Sequence, residues 1–146
     1  MRLTLEFIAA LSTTLFSGAA IYINLVEHPA RLGCGTELAA TVWAPSYKRA
    51  TVMQASLAIV GFLAGTAAWL TGGGMLWLIA ALFIGAVVPF TFIAIMPTNH
   101  RLLEPGRDLG STETRALLEK WGNLHAVRSA LSLIASIIYI GLLVGA

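Results

Sequence analysis

Residues 51–96 read TVMQASLAIVGFLAGTAAWLTGGGMLWLIAALFIGAVVPFTFIAIM, a stretch of 46 residues without one acidic or basic side chain. It divides into two apolar runs, 51–71 and 75–96, around Gly72, Gly73 and Gly74. At about 1.5 Å per helical residue, each run covers a hydrocarbon core of about 30 Å. So short a connection makes the two helices antiparallel neighbours, and glycine accepts the positive φ values of a tight reversal. Working outward, the run 3–26 has Glu6 and Asn24 as its only strongly polar members, and the uncharged run 129–146 reaches spanning length when extended back through Arg128 and His125. The fold class is therefore all-α: an integral membrane four-helix bundle, up-down-up-down, forming one transmembrane domain over 1–146 with spans near 3–26, 51–71, 75–96 and 124–145.

Composition agrees. The chain has 146 residues, 58% hydrophobic and 11% charged, whereas soluble domains carry about a quarter charged residues. Four spans leave no length for a separate soluble catalytic domain, so any chemistry sits in the bilayer or at its edge. A formal charge of +2 gives no basis for nucleic-acid binding. The single cysteine, Cys34, excludes an intrachain disulfide or a four-thiolate metal site, and nothing in its neighbourhood marks it as a reactive thiol. The basic start and the small residues Gly18, Ala19 and Ala20 imitate a signal peptide, but Glu6 interrupts its apolar centre and the run continues through Ile23; it reads as a retained anchor.

The other two connections, 27–50 and 97–123, carry nearly all the charge, and an even number of spans puts both on one side of the membrane. Eight of the nine Lys and Arg residues lie in these connections or at the adjoining end of the last span (Arg31, Lys48, Arg49, Arg101, Arg107, Arg115, Lys120, Arg128), against Arg2 opposite. The positive-inside bias makes the long-loop face cytoplasmic and places both termini on the opposite side. Trp69 and Trp77 suit an aromatic belt at the outer interface, Trp43 and Trp121 one at the inner. Each long loop is expected to hold a short interfacial helix: 36–43, capped by Thr36 and ended by Pro45, and a second one capped by Ser111 or Thr112 that runs through Trp121 into the last span. No internal repeat or low-complexity tract is present.

This topology brings polar residues from distant parts of the chain to one end of the bundle: His28, His100 and His125, with Glu27, Asn24, Tyr47, Gln54, Asn99, Asn123 and Arg128. Trp121, His125, Arg128, Ser129, Ser132 and Ser136 recur at steps of three or four along one helix face. Loops gather polar residues at such an end in any case, so depth is the stronger signal: Asn24, Gln54, His125 and Arg128 lie within or beside apolar runs, where polar groups face an interior or a cavity. Two chemistries are open. A metal site would use His28, His100, His125 and Glu27, although no two histidines stand at i, i+4, and no C-x-x-C-H motif marks a haem. A general-base site would use a neutral imidazole, which titrates near about 6.5, with Arg128 or the amides of Asn99 and Asn123 holding an oxyanion. Arg128 equally fits a snorkelling role. Gly61-x-x-x-Gly65 reads as a close-packing motif, Pro89 as a kink with Thr91 in reach of the freed backbone, and Glu6 as a group wetted at the outer interface.

Four segments carry a more specific signal: GAAIYINLVEHPAR (18–31), YKRATVMQASLA (47–58), PFTFIAIMPTNHRLL (89–103) and WGNLHAVRSALS (121–132). Together they resemble the anthrone-oxygenase-like family of small four-helix membrane proteins, in the family's order and at the long-loop ends of all four spans. The resemblance implies an oxygenase that converts a lipophilic aromatic, anthrone- or quinol-like, with dioxygen and no added cofactor. Within that reading His28 or His125 is the base, Arg128 or Asn99 holds the oxygen, and Trp121 or Tyr47 stacks on the ring, with Asn24, Gln54, His100 and Asn123 also contacting substrate. Its partners are the bilayer, the aromatic substrate and dioxygen, with a homo-oligomer or larger membrane complex as a further option. Two alternatives stand beside it: a non-catalytic subunit docking through its GxxxG face, and a histidine-liganded metal or haem redox protein.

Overall fold

The computed structural model describes residues 1–145, which form four long helices: α1 (Arg2–Gly33), α2 (Thr36–Leu70), α3 (Met75–Leu102) and α4 (Thr112–Val144). All four are long and apolar enough to cross a membrane. Each helix packs against its chain neighbour and α4 closes the ring against α1, while α2 and α4 barely touch across the middle. The glycine reversal forms as expected, with Gly72 at φ 96°.

The charged segments are mostly helix rather than loop. α1 and α2 are joined only through Cys34 and Gly35, and Gly35 at φ 101° makes the reversal. Gly35, not Thr36, is the N-cap of α2, and the 36–43 segment does not stop at Pro45 but continues into the span as one 35-residue helix. At 1.5 Å per residue that helix is about 52 Å long, well beyond a hydrocarbon core of about 30 Å. The second expectation holds: Ser111 Oγ accepts from the Thr114 N–H at 3.1 Å and α4 runs unbroken from there through the last span.

Proline shapes two helices. α1 contains a π turn at Ile23–Glu27 and α3 another at Thr91–Ile95. In each case a proline follows two residues later, Pro29 and Pro97. Proline has no N–H and its ring clashes with the carbonyl four residues back, so the ladder ahead of it widens. The His28 N–H accordingly bonds the Ile23 carbonyl, and the Met96 N–H bonds that of Thr91. Near Pro89, Thr91 Oγ1 donates to the Val87 carbonyl at 2.7 Å.

The interior is built in three clusters along the bundle. Alanines dominate at the glycine-turn end and the middle, including Ala9, Ala64, Ala68, Ala80 and Ala135, while Trp43, Trp121, Leu117 and Leu118 fill the other end. Small residues let helices approach closely where lipid supplies no hydrophobic drive for association. The Gly61-x-x-x-Gly65 motif serves this internal packing: a Cβ on Gly61 would lie 2.5 Å from Thr13 Oγ1 and one on Gly65 1.7 Å from the Tyr139 hydroxyl. The motif is therefore filled by α1 and α4 of the same chain, not offered to another protein. Gly65→Ala is expected to destabilise the bundle by about 1–3 kcal/mol through overpacking, read as a lower unfolding midpoint in detergent that Tyr139→Phe partly restores.

Two further expectations from the sequence do not hold. Glu6 is not wetted; it is 6% exposed and paired with Arg2 at 3.3 Å. Trp43, Trp77 and Trp121 do not form interfacial belts; all three are buried, Trp77 against Tyr139 with ring centroids 5.2 Å apart. The faces left outward carry Leu3, Phe7, Leu63, Leu82 and Ile137, as expected of surfaces in contact with lipid.

Candidate active site

The end of the bundle away from the glycine turn holds a chain of bonds between α1 and α4. Asn24 Nδ2 donates to the Gly122 carbonyl at 2.9 Å, which turns its Oδ1 toward His125 and Ser129. Ser129 Oγ donates to that oxygen at 2.6 Å, and His125 Nδ1 meets it at 2.8 Å. An amide oxygen only accepts, so Nδ1 carries the ring proton and Nε2 is left as the acceptor. The π turn at Ile23–Glu27 underlies Asn24, and position 125 opens the last span, so bilayer depth and helix phase together set this pair.

His28 occupies a different position. Its Nε2 donates to the Leu118 carbonyl at 2.9 Å and its Nδ1 is enclosed without a partner. The ring fits only because residue 122 is glycine; a Cβ there would stand 2.8 Å from it. Trp121 lies between the two imidazoles, 5.0 Å from His28 and 4.8 Å from His125. Trp43 meets Trp121 edge-on at 5.9 Å and stacks on Tyr47 at 5.0 Å.

These residues surround a small chamber lined by Arg31, Trp43, Gln54, Trp121, His125 and Arg128. At about 20 Å³ it has room for a single water. Its chemistry is one-sided. Arg31 Nε, Trp43 Nε1, Gln54 Nε2, Trp121 Nε1 and Arg128 Nε are all buried donors with no acceptor among the described residues. Arg31 is paired with Glu27 at 3.4 Å, and Ser46 donates to the same carboxylate at 2.9 Å. Arg128 has no carboxylate partner among the described residues; its Nη2 donates to Gln54 Oε1 at 2.9 Å and its guanidinium lies 5.4 Å over Phe16. Buried donors left without acceptors and a half-buried cation left without a counter-charge are costly, and an anion in the chamber would satisfy them.

A second cavity of about 80 Å³ adjoins the chamber, shares Tyr47, Thr51, Gln54 and Arg128 with it, and continues past Phe92 and Met96. Tyr47 OH reaches Met96 Sδ at 3.7 Å across this junction.

The remaining predicted positions lie elsewhere. Asn99 is fully enclosed, with neither amide atom partnered, on the side of α3 that carries the core residues Ile95 and Leu102; it does not line the chamber. His100 and Asn123 are on the outer surface. The three histidines thus do not meet, and among the described residues no three His, Cys, Asp or Glu side chains are grouped to hold a metal ion. Arg31 and Trp43 line the chamber although sequence reasoning gave them no part in it. The i, i+4 pairing of Glu27 with Arg31 was the available signal for the first; none marked the second.

The molecule is thus an integral membrane four-helix bundle with an enclosed polar site at one end. Its sequence belongs to the anthrone oxygenase family, whose model matches residues 43–138. The chain is similar to the anthrone oxygenase tpcL of Aspergillus fumigatus, 30% identical over 142 residues that cover 89% of this chain and 87% of that protein. It is equally similar to an anthrone oxygenase of Claviceps purpurea, 30% identical over 145 residues covering 89% and 83%. No solved structure matches.

Proposed function

We propose that this protein is a membrane-embedded oxygenase that deprotonates a lipophilic anthrone-like compound and lets the resulting anion react with dioxygen, without an added cofactor. The observation that carries this reading is the pairing of one imidazole acceptor, His125 Nε2, with a chamber lined by side chains that hold five unpartnered N–H donors, on Arg31, Trp43, Gln54, Trp121 and Arg128. The names of the related proteins support the substrate class.

An anthrone carries a CH₂ between two aryl rings and opposite a ketone. Transfer of one proton to His125 Nε2 gives an electron-rich anion with its charge on the former ketone oxygen. Arg128, Gln54 and the indole N–H groups stabilise that oxygen in a site of low dielectric. The anion passes one electron to dioxygen; the carbon radical and superoxide combine to a peroxide, which takes a proton from the imidazolium. Loss of the second C–H proton with cleavage of the O–O bond yields the new ketone and water. One dioxygen and one anthrone are consumed for one anthraquinone and one water. Asn24 keeps the Nδ1 proton in place so that Nε2 stays free, and His28 supports Trp121 from behind. We read the chamber end as the cytoplasmic one, from the distribution of Lys and Arg.

The test is oxygen uptake by the purified protein in nanodiscs with anthrone as substrate. Equimolar anthraquinone and oxygen consumption, well above the spontaneous rate, is the expected result. A rate equal to that of empty nanodiscs overturns the reading.

A further inference from the structure

The chamber and its adjoining cavity total about 100 Å³ (about 20 and about 80), too little for a three-ring molecule, so the way in matters. A groove of about 620 Å³ runs between α2 and α3, lined by Ala58, Ile59, Phe62, Gly85, Val88 and Pro89. Its lining is almost wholly apolar, and its rim carries the outward-facing Ile59 and Leu82, 48% and 56% exposed. It does not end blindly: Ala58 and Val88 line both the groove and the cavity beside the chamber. Gly85 lets the Phe62 ring lie flat against α3 within it, since a Cβ there would stand 2.6 Å from that ring. The same path then meets Tyr47 and Met96, 3.7 Å apart, which both line the cavity; of the two, Tyr47 also lines the chamber.

We infer that the planar apolar substrate enters sideways from the bilayer, along the α2–α3 groove and past the Tyr47–Met96 contact, and that Val88 at the junction sets which molecules pass. This rests on the oxygenase reading given above. The occupant is the substrate and not a lipid chain because the groove is continuous with a donor-lined pocket. An acyl chain has no group for those donors, whereas a flat ketone has an apolar body for the groove and one acceptor for the far end. Side-chain movement at a site on ligand entry is common, and a turn of Tyr47 away from Met96 joins the cavity to the chamber.

Val88→Trp fills the junction and is expected to lower kcat/KM for anthrone by about tenfold or more, mainly by raising KM. Ile137→Trp, on the outward face of α4, is the control and leaves both constants unchanged. A second measurement is independent of turnover and of any misfolding of the tryptophan variant. In a Cys34→Ser background, Val88→Cys is labelled with pyrene maleimide, with and without anthrone under nitrogen. Slower labelling in the presence of anthrone supports the route. Unchanged kinetics in Val88→Trp, or labelling indifferent to anthrone, overturns it and leaves the groove to lipid. If anthrone protects Val88→Cys while the unsubstituted protein consumes no oxygen, the oxygenase reading fails and the binding route stands.

Discussion

Replacing Arg128 by leucine is expected to lower anthrone turnover by about 10²–10³-fold, the cost of removing a donor aimed at developing oxyanion charge, while leaving the protein as stable as before or more so. The second half of the expectation follows from its surroundings. The guanidinium has an amide oxygen of Gln54 at 2.9 Å and the face of Phe16 at 5.4 Å, and no carboxylate among the described residues. A half-buried cation so placed costs desolvation with little returned by pairing, and exchange of a charge without a counter-charge for an apolar residue of similar volume is often neutral or stabilising. Loss of function together with a retained or raised unfolding midpoint is a combination that a snorkelling anchor would not give. Arg128→Lys keeps the charge without the planar fork and should recover only part of the rate. The measurement is oxygen uptake beside thermal unfolding in the same nanodiscs. A midpoint that falls in step with the rate would make Arg128 a structural anchor.

His125→Phe should be about as severe, with a rate loss of about 10²–10⁴-fold, the usual contribution of a positioned general base. Phenylalanine preserves the ring that packs on Trp121 at 4.8 Å, so the bundle end stays filled. Base loss can be observed apart from the oxygen step: under nitrogen in deuterated buffer, the unsubstituted protein should accelerate exchange of the anthrone methylene protons, and His125→Phe should not. Arg128→Leu should slow that exchange as well, because the anion it stabilises forms in this step. Asn24→Ala removes the acceptor that fixes the Nδ1 proton and should fall between the unsubstituted protein and His125→Phe. Unimpaired exchange in His125→Phe would move the base elsewhere.

The four crossings were legible because lipid imposes a length and an absence of charge that can be counted along the chain. Helix ends were not, because hydropathy reports where lipid is and not where the backbone stops being helical. Segment 36–50 carries Lys48 and Arg49 and reads as a connection with a short helix over 36–43 that ends at Pro45, yet the whole of it is the first part of α2. Trp43 and Trp121 were placed at an interface by the usual preference of indole for headgroups. Their N–H groups find no acceptor among the described residues, which makes sense beside a chamber and cannot be seen in a one-dimensional string. The polarity and depth of Asn24, Gln54, His125 and Arg128 marked them correctly as inward residues. The bond from Asn24 to His125 joins positions 101 residues apart, and that pairing depends on the relative rotation of two helices. His100 shows the same limit from the other side, since it adjoins the fully enclosed Asn99 and yet faces out.

That rotation is set locally. An extra residue in one turn shifts the facing of everything on either side of it by about 100°, and α1 carries such a turn directly beneath its active end. Shortening Ile23–Glu27 by one position would point Thr13 and Ser17 to lipid if His28 and Arg31 held their places, or the reverse. A gap at this point in an alignment of relatives therefore marks a change of architecture, whereas a gap at the exposed Glu104, Pro105 and Gly106 leaves the facing of every helix unchanged.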